Sequence, residues 1–316
     1  MDVRSVRSDQ AYRAMIAAPP EKRADLYRHE LMAPFKEKWD CYRVPLKAAQ
    51  PGGYDVVMAS EMLGILPPMR VDGSWAEAVS LIGDDAFWDA CQRAVERSLA
   101  RFGERGIELP RKDYRFTVLL ANPENPVVRA SEGYGGDGGI PGSIFAWLVP
   151  GGRTMRRLPA ALAHEANHNV RFQFVRWRND ITLGEMLVSE GLAENFAVEL
   201  FGEELAGPWV ARTTPDLLEQ VKPLVHTGLG GARPGRAFRL PLRRRDGRAH
   251  GLPHARRALL RRLRVRVPPG QALPRRDGHR YRRRHPPPRR RHPRHRAKLL
   301  GVNAFCRKVL EFCTLA

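Results

Sequence analysis

Hydrophobic positions along the chain divide between helical and strand spacing. Residues 21–40 and 75–105 place apolar side chains every three or four positions, which predicts a helix in the first range and one or two helices in the second. Residues 114–120 and 143–149 are instead short apolar runs ended by turn residues, and they predict two strands. This mixture of elements is typical of an α+β domain.

Two further helices are predicted after the second strand. The first runs from about Pro159, because proline suits the first turn of a helix, to about Phe174. The second begins at Thr182, whose spacing to Glu185 matches a capping box, and it ends near Gly202, a natural C-terminal cap. These two helices carry the most specific chemical pattern of the chain.

The string His164-Glu-Ala-Asn-His168 lies on the first of these helices. Histidines four positions apart share one face of a helix, so their imidazole nitrogens can converge on one zinc ion. Glu165 would project beside the metal, where a carboxylate can accept a proton from water. Two ordinary polar residues on a helix face are the alternative, and the apolar stripe that packs this helix argues against it.

Carboxylates of the second helix complete the expected site. Glu190 is expected to be the third ligand, which leaves one coordination position open, as in catalytic zinc sites. Glu194 lies one turn further on and is expected to accept a hydrogen bond from His164, although an exchange of roles with Glu190 or a solvated surface position stays open. Arg171, three residues after His168, is expected to form an ion pair or to hold a substrate carboxylate.

A glycine-rich stretch covers residues 133–142. The spacing of Gly133, Gly135 and Gly138 imitates a dinucleotide-binding loop, but a strand rather than a helix follows it, which excludes that function. We expect a flexible rim over a cleft.

The predicted strand at 143–149 allows two interpretations. As an exposed edge it would bind an extended peptide by adding a strand, with Phe145 and Trp147 lining a pocket for a side chain. As a strand packed on both faces it would only build the sheet.

Residues from about 116 to 202 resemble a bacterial family of predicted zinc-dependent proteases of the gluzincin type, which is catalogued as a domain of unknown function. The resemblance is carried by the His164–His168 string with Arg171, by Ser189-Glu-Gly-Leu-Ala-Glu194, and by Pro141-Gly142 ahead of them. The Glu190-Gly-Leu-Ala string is also similar to the Asn-Glu-Gly-Phe-Ala string of zinc aminopeptidases, in which the glutamate binds the metal.

The resemblance implies a zincin-like metallopeptidase fold, Zn²⁺ as cofactor, a peptide or protein as substrate and Glu190 as third ligand. It also implies a carboxy-terminal lobe that closes the cleft and supplies a tyrosine or histidine to steady the oxyanion. Residues 232–297 do not resemble that lobe, and Tyr281 is the only tyrosine after Tyr134.

Positive charge is concentrated in one segment of the chain. The formal net charge is +20, yet residues 232–297 hold 24 arginines against Asp246 and Asp277, which leaves residues 1–231 with a small net negative charge. The segment also lacks nine residue types, including lysine, glutamate and serine, and it has no helical or strand period. One interpretation is a disordered basic tail that binds nucleic acid non-specifically.

The favoured hypothesis for this segment is a lost reading frame near residue 231, because the nine residue types disappear at one point. Resequencing the gene around that codon tests the hypothesis, and an intact frame there would end it.

Cysteine usage and hydropathy bear on the compartment. Cys41, Cys91, Cys306 and Cys313 have no paired spacing, which favours free thiols in a reducing compartment. No apolar run is long enough to span a bilayer, and the first eight residues lack the apolar core of a signal peptide. We expect a cytoplasmic protein without a membrane partner.

These inferences divide the chain into a helical amino-terminal part (1–115), a zincin-like catalytic core (116–231) and an Arg/Pro-rich remainder (232–316). The expected function is zinc-dependent hydrolysis of peptide bonds, with Glu165 as general base. Two alternatives stay open. One is an inactive remnant that lacks its carboxy-terminal lobe, and the other is a nucleic-acid-binding protein that acts through its arginines.

Overall fold

A computed structural model describes residues 1–175 and 181–230. Four strands form one mixed sheet: β1 (Asp2–Ser5), β2 (Asp113–Leu120), β3 (Tyr134–Ile140) and β4 (Ser143–Leu148). Their order across the sheet is β1-β2-β4-β3, with β1 and β4 parallel to β2 and with β3 antiparallel to β4. The mixed α+β class is confirmed.

The helices of the described residues are α1 (Ser8–Ala17), α2 (Pro20–Leu26), α3 (Lys36–Cys41), α4 (Val56–Leu63), α5 (Ala76–Leu81), α6 (Asp85–Glu104), α7 (Pro126–Ala130), α8 (Gly152–Phe174), α9 (Leu183–Phe201), α10 (Pro208–Ala211) and α11 (Pro215–Gly230). None of these helices is long and apolar enough to cross a bilayer.

The sheet lies between two layers of helices. Successive side chains of β4 point to opposite faces, as in any strand. Phe145 and Trp147 pack into the core built by α1, α3 and α4, whereas Ile144, Ala146 and Leu148 pack into the core built by α6, α8 and α9. The first layer is called the amino-terminal layer below, and the second is called the helical layer.

Several predicted elements are confirmed. The strands expected at 114–120 and 143–149 are β2 and β4, and residues 75–105 form α5 and α6. The second motif helix, α9, has the expected capping box between Thr182 and Glu185. It ends at Gly202, whose φ of +100° lies in the left-handed region that favours glycine.

Two predicted helices have different bounds. Residues 21–40 do not form one helix, because Pro34 lacks the N–H group that a continuous helix needs; α2 gives way to a π-helical turn (Tyr27–Met32) before α3 begins. The start expected at Pro159 is wrong as well. Helix α8 begins at Gly152, and Pro159 lies inside it. The packing of α8 against the other helices of its layer offsets the one backbone hydrogen bond that proline cannot donate.

The flexible rim expected at 133–142 is wrong, because these residues form β3 and its turn into β4. Glycine is needed here for close approach rather than for mobility. A Cβ at Gly138 would lie 1.9 Å from the backbone oxygen of Glu165, and a Cβ at Gly135 would lie 2.7 Å from the ring nitrogen of Trp147. Strand β3 therefore crosses directly over α8.

Of the two interpretations of residues 143–149, the exposed edge is wrong and the strand packed on both faces is confirmed. Strand β4 pairs on both sides, with β2 and with β3, so β3 is the edge strand before the motif helix. Phe145 and Trp147 are 0% and 6% exposed, because the amino-terminal layer covers that face. They cannot line a pocket for substrate. The expectations for residues 232–316 lie outside the described residues.

Candidate metal centre

Helices α8 and α9 bring three side chains to one point. The Nε2 atoms of His164 and His168 are 3.1 Å apart. Glu190 places one carboxylate oxygen 3.3 Å from Nε2 of His164 and the other 3.6 Å from Nε2 of His168. Among the described residues, these three form the cluster of histidine, cysteine and acidic side chains whose ligand atoms lie within 4.8 Å of one another.

The spacing of these atoms fits one zinc ion. Nitrogen and oxygen ligands lie about 2.0–2.1 Å from zinc, and tetrahedral geometry then separates them from one another by about 3.3 Å. The nitrogen–nitrogen separation of 3.1 Å and the nitrogen–oxygen separations of 3.3 and 3.6 Å, which involve different oxygens of Glu190, lie close to that value. Two imidazoles and a carboxylate are also a donor set that zinc prefers at catalytic sites.

Burial is unequal across the cluster. The side chains of His164 and His168 are 5% and 9% exposed, but that of Glu190 is 36% exposed. Within the described part of the chain, the cluster is therefore most open to solvent on the side of Glu190.

The surroundings of His164 are strongly acidic. Burial lowers the pKa of its imidazole, but hydrogen bonds to Glu190 and Glu194 and the charge of Glu165 outweigh this effect. The pKa of His164 is raised to about 10. A cation is therefore favoured at this point, whether it is a proton or a metal ion.

Glu194 lies where the sequence suggested, 3.2 Å from Nδ1 of His164. It also accepts hydrogen bonds from the backbone N–H of Gly207 and from Nε1 of Trp209. Burial raises the pKa of Glu194, but the hydrogen bond and charge of His164 and these two donors lower it below its ordinary value overall. The carboxylate thus holds Nδ1 protonated and leaves Nε2 of His164 for a metal.

His168 has a partner that the sequence analysis did not identify. The hydroxyl of Ser189 lies 3.2 Å from Nδ1 of His168, and both side chains are buried. The only sequence signal is that Ser189 directly precedes Glu190. The ring of Phe172 stacks on His168 at 6.3 Å between centroids and helps to orient the imidazole.

Glu165 points to the sheet rather than to α9. Glu165 is 3% exposed, and one oxygen of its carboxylate accepts a 2.8 Å hydrogen bond from the backbone N–H of Gly138 on β3. The contact explains why β3 must pass so close to α8. It fixes the carboxylate next to the two histidines.

Asn169 is a second residue that the sequence analysis missed. It is fully buried on α8, and its amide group donates to the backbone oxygens of Gly138, Ile140 and Ser143. Its side-chain oxygen accepts from the N–H of Gly142. One side chain of the motif helix therefore fastens the whole β3–β4 turn, and its position next to His168 was the only signal.

Arg171 lies one turn beyond His168 and is half-buried. Its side chain forms no ion pair with another residue of 1–175 or 181–230, so the expected ion pair with α9 is not made within these ranges. The interpretation that it binds a substrate carboxylate stays a prediction.

Known proteins similar to this chain include one family of predicted function. A family described as predicted Zn-dependent protease (DUF2268) matches residues 87–229. The uncharacterized protein YjfC of Bacillus subtilis (strain 168) is 36% identical over 204 residues, which cover 64% of this chain and 67% of that protein. No solved structure matches the chain significantly. From the family match and this relative, the chain belongs to the DUF2268 family of predicted Zn-dependent proteases.

Proposed function

We propose that the protein is a zinc-dependent peptidase in which His164, His168 and Glu190 bind the metal and Glu165 is the general base. The observation that carries the proposal is the convergence of two imidazole nitrogens and one carboxylate group at separations that suit tetrahedral zinc. Membership of the family supports the same function.

A bound zinc ion supplies a Lewis acid that lowers the pKa of water and polarises a carbonyl group. Glu165 accepts a proton from the attacking water and then delivers it to the leaving nitrogen of the peptide. The N–H of Gly138 holds the carboxylate in place for both transfers. This scheme needs no nucleophile from the protein.

The proposed substrate is an extended peptide that adds a strand to β3. Strand β3 is one of the two edge strands of the sheet in the described residues, and it lies directly over Glu165. An edge strand can bind a peptide through its backbone groups with little dependence on the sequence of the peptide. The N–H of Gly138 and the oxygens of Gly138 and Ile140 are already paired with Glu165 and Asn169, so the peptide would pair with other positions of β3. This site replaces the one that the sequence suggested at 143–149.

The test is hydrolysis of a fluorogenic peptide library by the zinc-loaded full chain and its Glu165→Gln variant. Loss of the base should lower kcat by about 100-fold or more, while zinc content stays the same. The control is Glu77→Gln, at an exposed glutamate of α5. Equal rates in the Glu165→Gln variant and the wild type would refute the assigned role.

An inactive remnant is the second candidate, and one observation favours it. The family match ends at residue 229, next to the point where the composition changes to arginine and proline. A chain that binds zinc through the three ligands but hydrolyses no peptide of the library would support this candidate over the enzyme.

A further inference from the structure

A fully buried lysine lies on the other side of the sheet from the metal centre. The residue, Lys38 of α3, is 0% exposed, and its Nζ is 3.0 Å from a carboxylate oxygen of Asp137 on β3. Tyr42, one turn later, donates to the same carboxylate at 3.0 Å. Burial raises the pKa of Asp137, but the charge of Lys38 and the hydrogen bonds from Gly139, Lys38 and Tyr42 lower it below its ordinary value.

Burial of such an ion pair costs free energy. Removing two charges from water costs several kcal/mol per ion in real proteins, and apolar side chains of similar volume often stabilise a core as well or better. Stability alone therefore gives a weak reason for Lys38 and Asp137. Their position in the fold gives a stronger one.

Asp137 lies at the point where β3 departs from regular pairing with β4, since the register shifts between Asp137 and Ile140. The N–H of the next residue, Gly138, donates to the carboxylate of Glu165 on α8. Alternation along β3 directs Asp137 to the amino-terminal layer and Gly138 to α8. Any force that holds the side chain of Asp137 thus also sets the position of the Gly138 N–H.

We propose that Lys38 and Tyr42 are positioning residues for Glu165, acting through Asp137 and the backbone of Gly138. The inference rests on the proposed function of Glu165. The amino-terminal layer, which contributes no ligand to the metal centre, then acts on the reaction by fixing the edge strand. A general base displaced by about 1 Å can lose about 100-fold in rate.

The experiment compares the zinc-loaded full chain with three variants. Tyr42→Phe removes one hydroxyl. Lys38→Met combined with Asp137→Asn removes both charges and leaves no unpaired ion. Arg28→Met is the matched control, because Arg28 forms another largely buried ion pair of the amino-terminal layer, with Asp55.

Four quantities are measured: kcat and KM for peptide hydrolysis, zinc content, and hydrogen exchange of the peptide spanning residues 134–140. The double variant should lose about 10- to 100-fold in kcat, with KM and zinc content unchanged and with faster exchange of 134–140. Tyr42→Phe should show a smaller change in the same direction. Arg28→Met should lower the unfolding temperature without changing kcat or this exchange.

Two results would overturn the inference. One is a folded double variant, or Tyr42→Phe if the double variant does not fold, whose kcat and exchange match those of the wild type. The other is an Arg28→Met variant with equal losses, which would reveal a general effect of stability. If the wild type hydrolyses no peptide, the proposed function fails, and the exchange of 134–140 still decides whether Lys38 and Tyr42 hold the edge strand.

Discussion

The surroundings of His164 and His168 differ, although both histidines lie on α8 and face the same point. His164 donates its second ring proton to the carboxylate of Glu194, which is itself held by Gly207 and Trp209. Among residues 1–175 and 181–230, the partner of His168 in the same position is the neutral hydroxyl of Ser189. A carboxylate makes an imidazole a more basic ligand than a hydroxyl does, so the two histidines should contribute unequally to metal affinity.

The largest effect is expected at the charged partner. Glu194→Gln keeps a hydrogen-bond acceptor but removes the charge, and it should weaken zinc binding by about 10- to 100-fold. Competition with a chelating dye, measured by titration, gives the affinity. An unchanged affinity would mean that the carboxylate only supports the fold around Gly207 and Trp209.

Ser189→Ala should have a smaller effect. Loss of one neutral hydrogen bond costs about 1 kcal/mol, which corresponds to about fivefold in zinc affinity. The same dye titration provides the comparison. A loss equal to that of Glu194→Gln would contradict the unequal roles of the two supports.

The release of protons on zinc binding gives a further test of the difference between His164 and His168. The pKa of His164 is raised to about 10, so zinc binding near pH 7 should displace about one proton from it. Zinc affinity should therefore rise with pH between 7 and 10. The stability of the metal-free protein should instead fall as pH rises. The stabilisation from the raised pKa of His164 is fully present below the ordinary pKa of 6.5 and is lost as pH rises through about 10.

Calorimetric titrations with zinc in two buffers of different ionisation enthalpy measure this release. Glu194→Gln should reduce it, because the carboxylate helps to raise the pKa of His164. Zinc binding without proton release at pH 7 would show that His164 is neutral before the metal arrives.

The part of the site on α8 and α9 could be predicted from the sequence, because it depends on spacings within each helix. Residues four apart on a helix share a face wherever the helix lies. The capping box at Thr182 fixed the start of α9 and hence the face that carries Glu190 and Glu194. Only the crossing of α8 and α9 had to be assumed.

The part of the site on β3 could not be predicted, because it depends on the order of strands in the sheet. A run of glycines is compatible with a mobile loop and equally with a strand pressed against a helix, and only the contact of Gly138 with Glu165 separates the two. The link between Lys38 and Asp137 joins residues 99 apart in sequence. Neither residue type nor spacing indicates such a pairing.

The most direct test of the account is the zinc content of the full chain, prepared without chelator, beside its His168→Ala and His29→Ala variants. Six of the ten histidines lie in residues 232–297, so the difference between variants is more informative than the total. The account predicts that His168→Ala loses about one zinc per chain and that His29→Ala, at an exposed position, loses none. Equal zinc content in the wild type and His168→Ala would contradict the proposed metal centre.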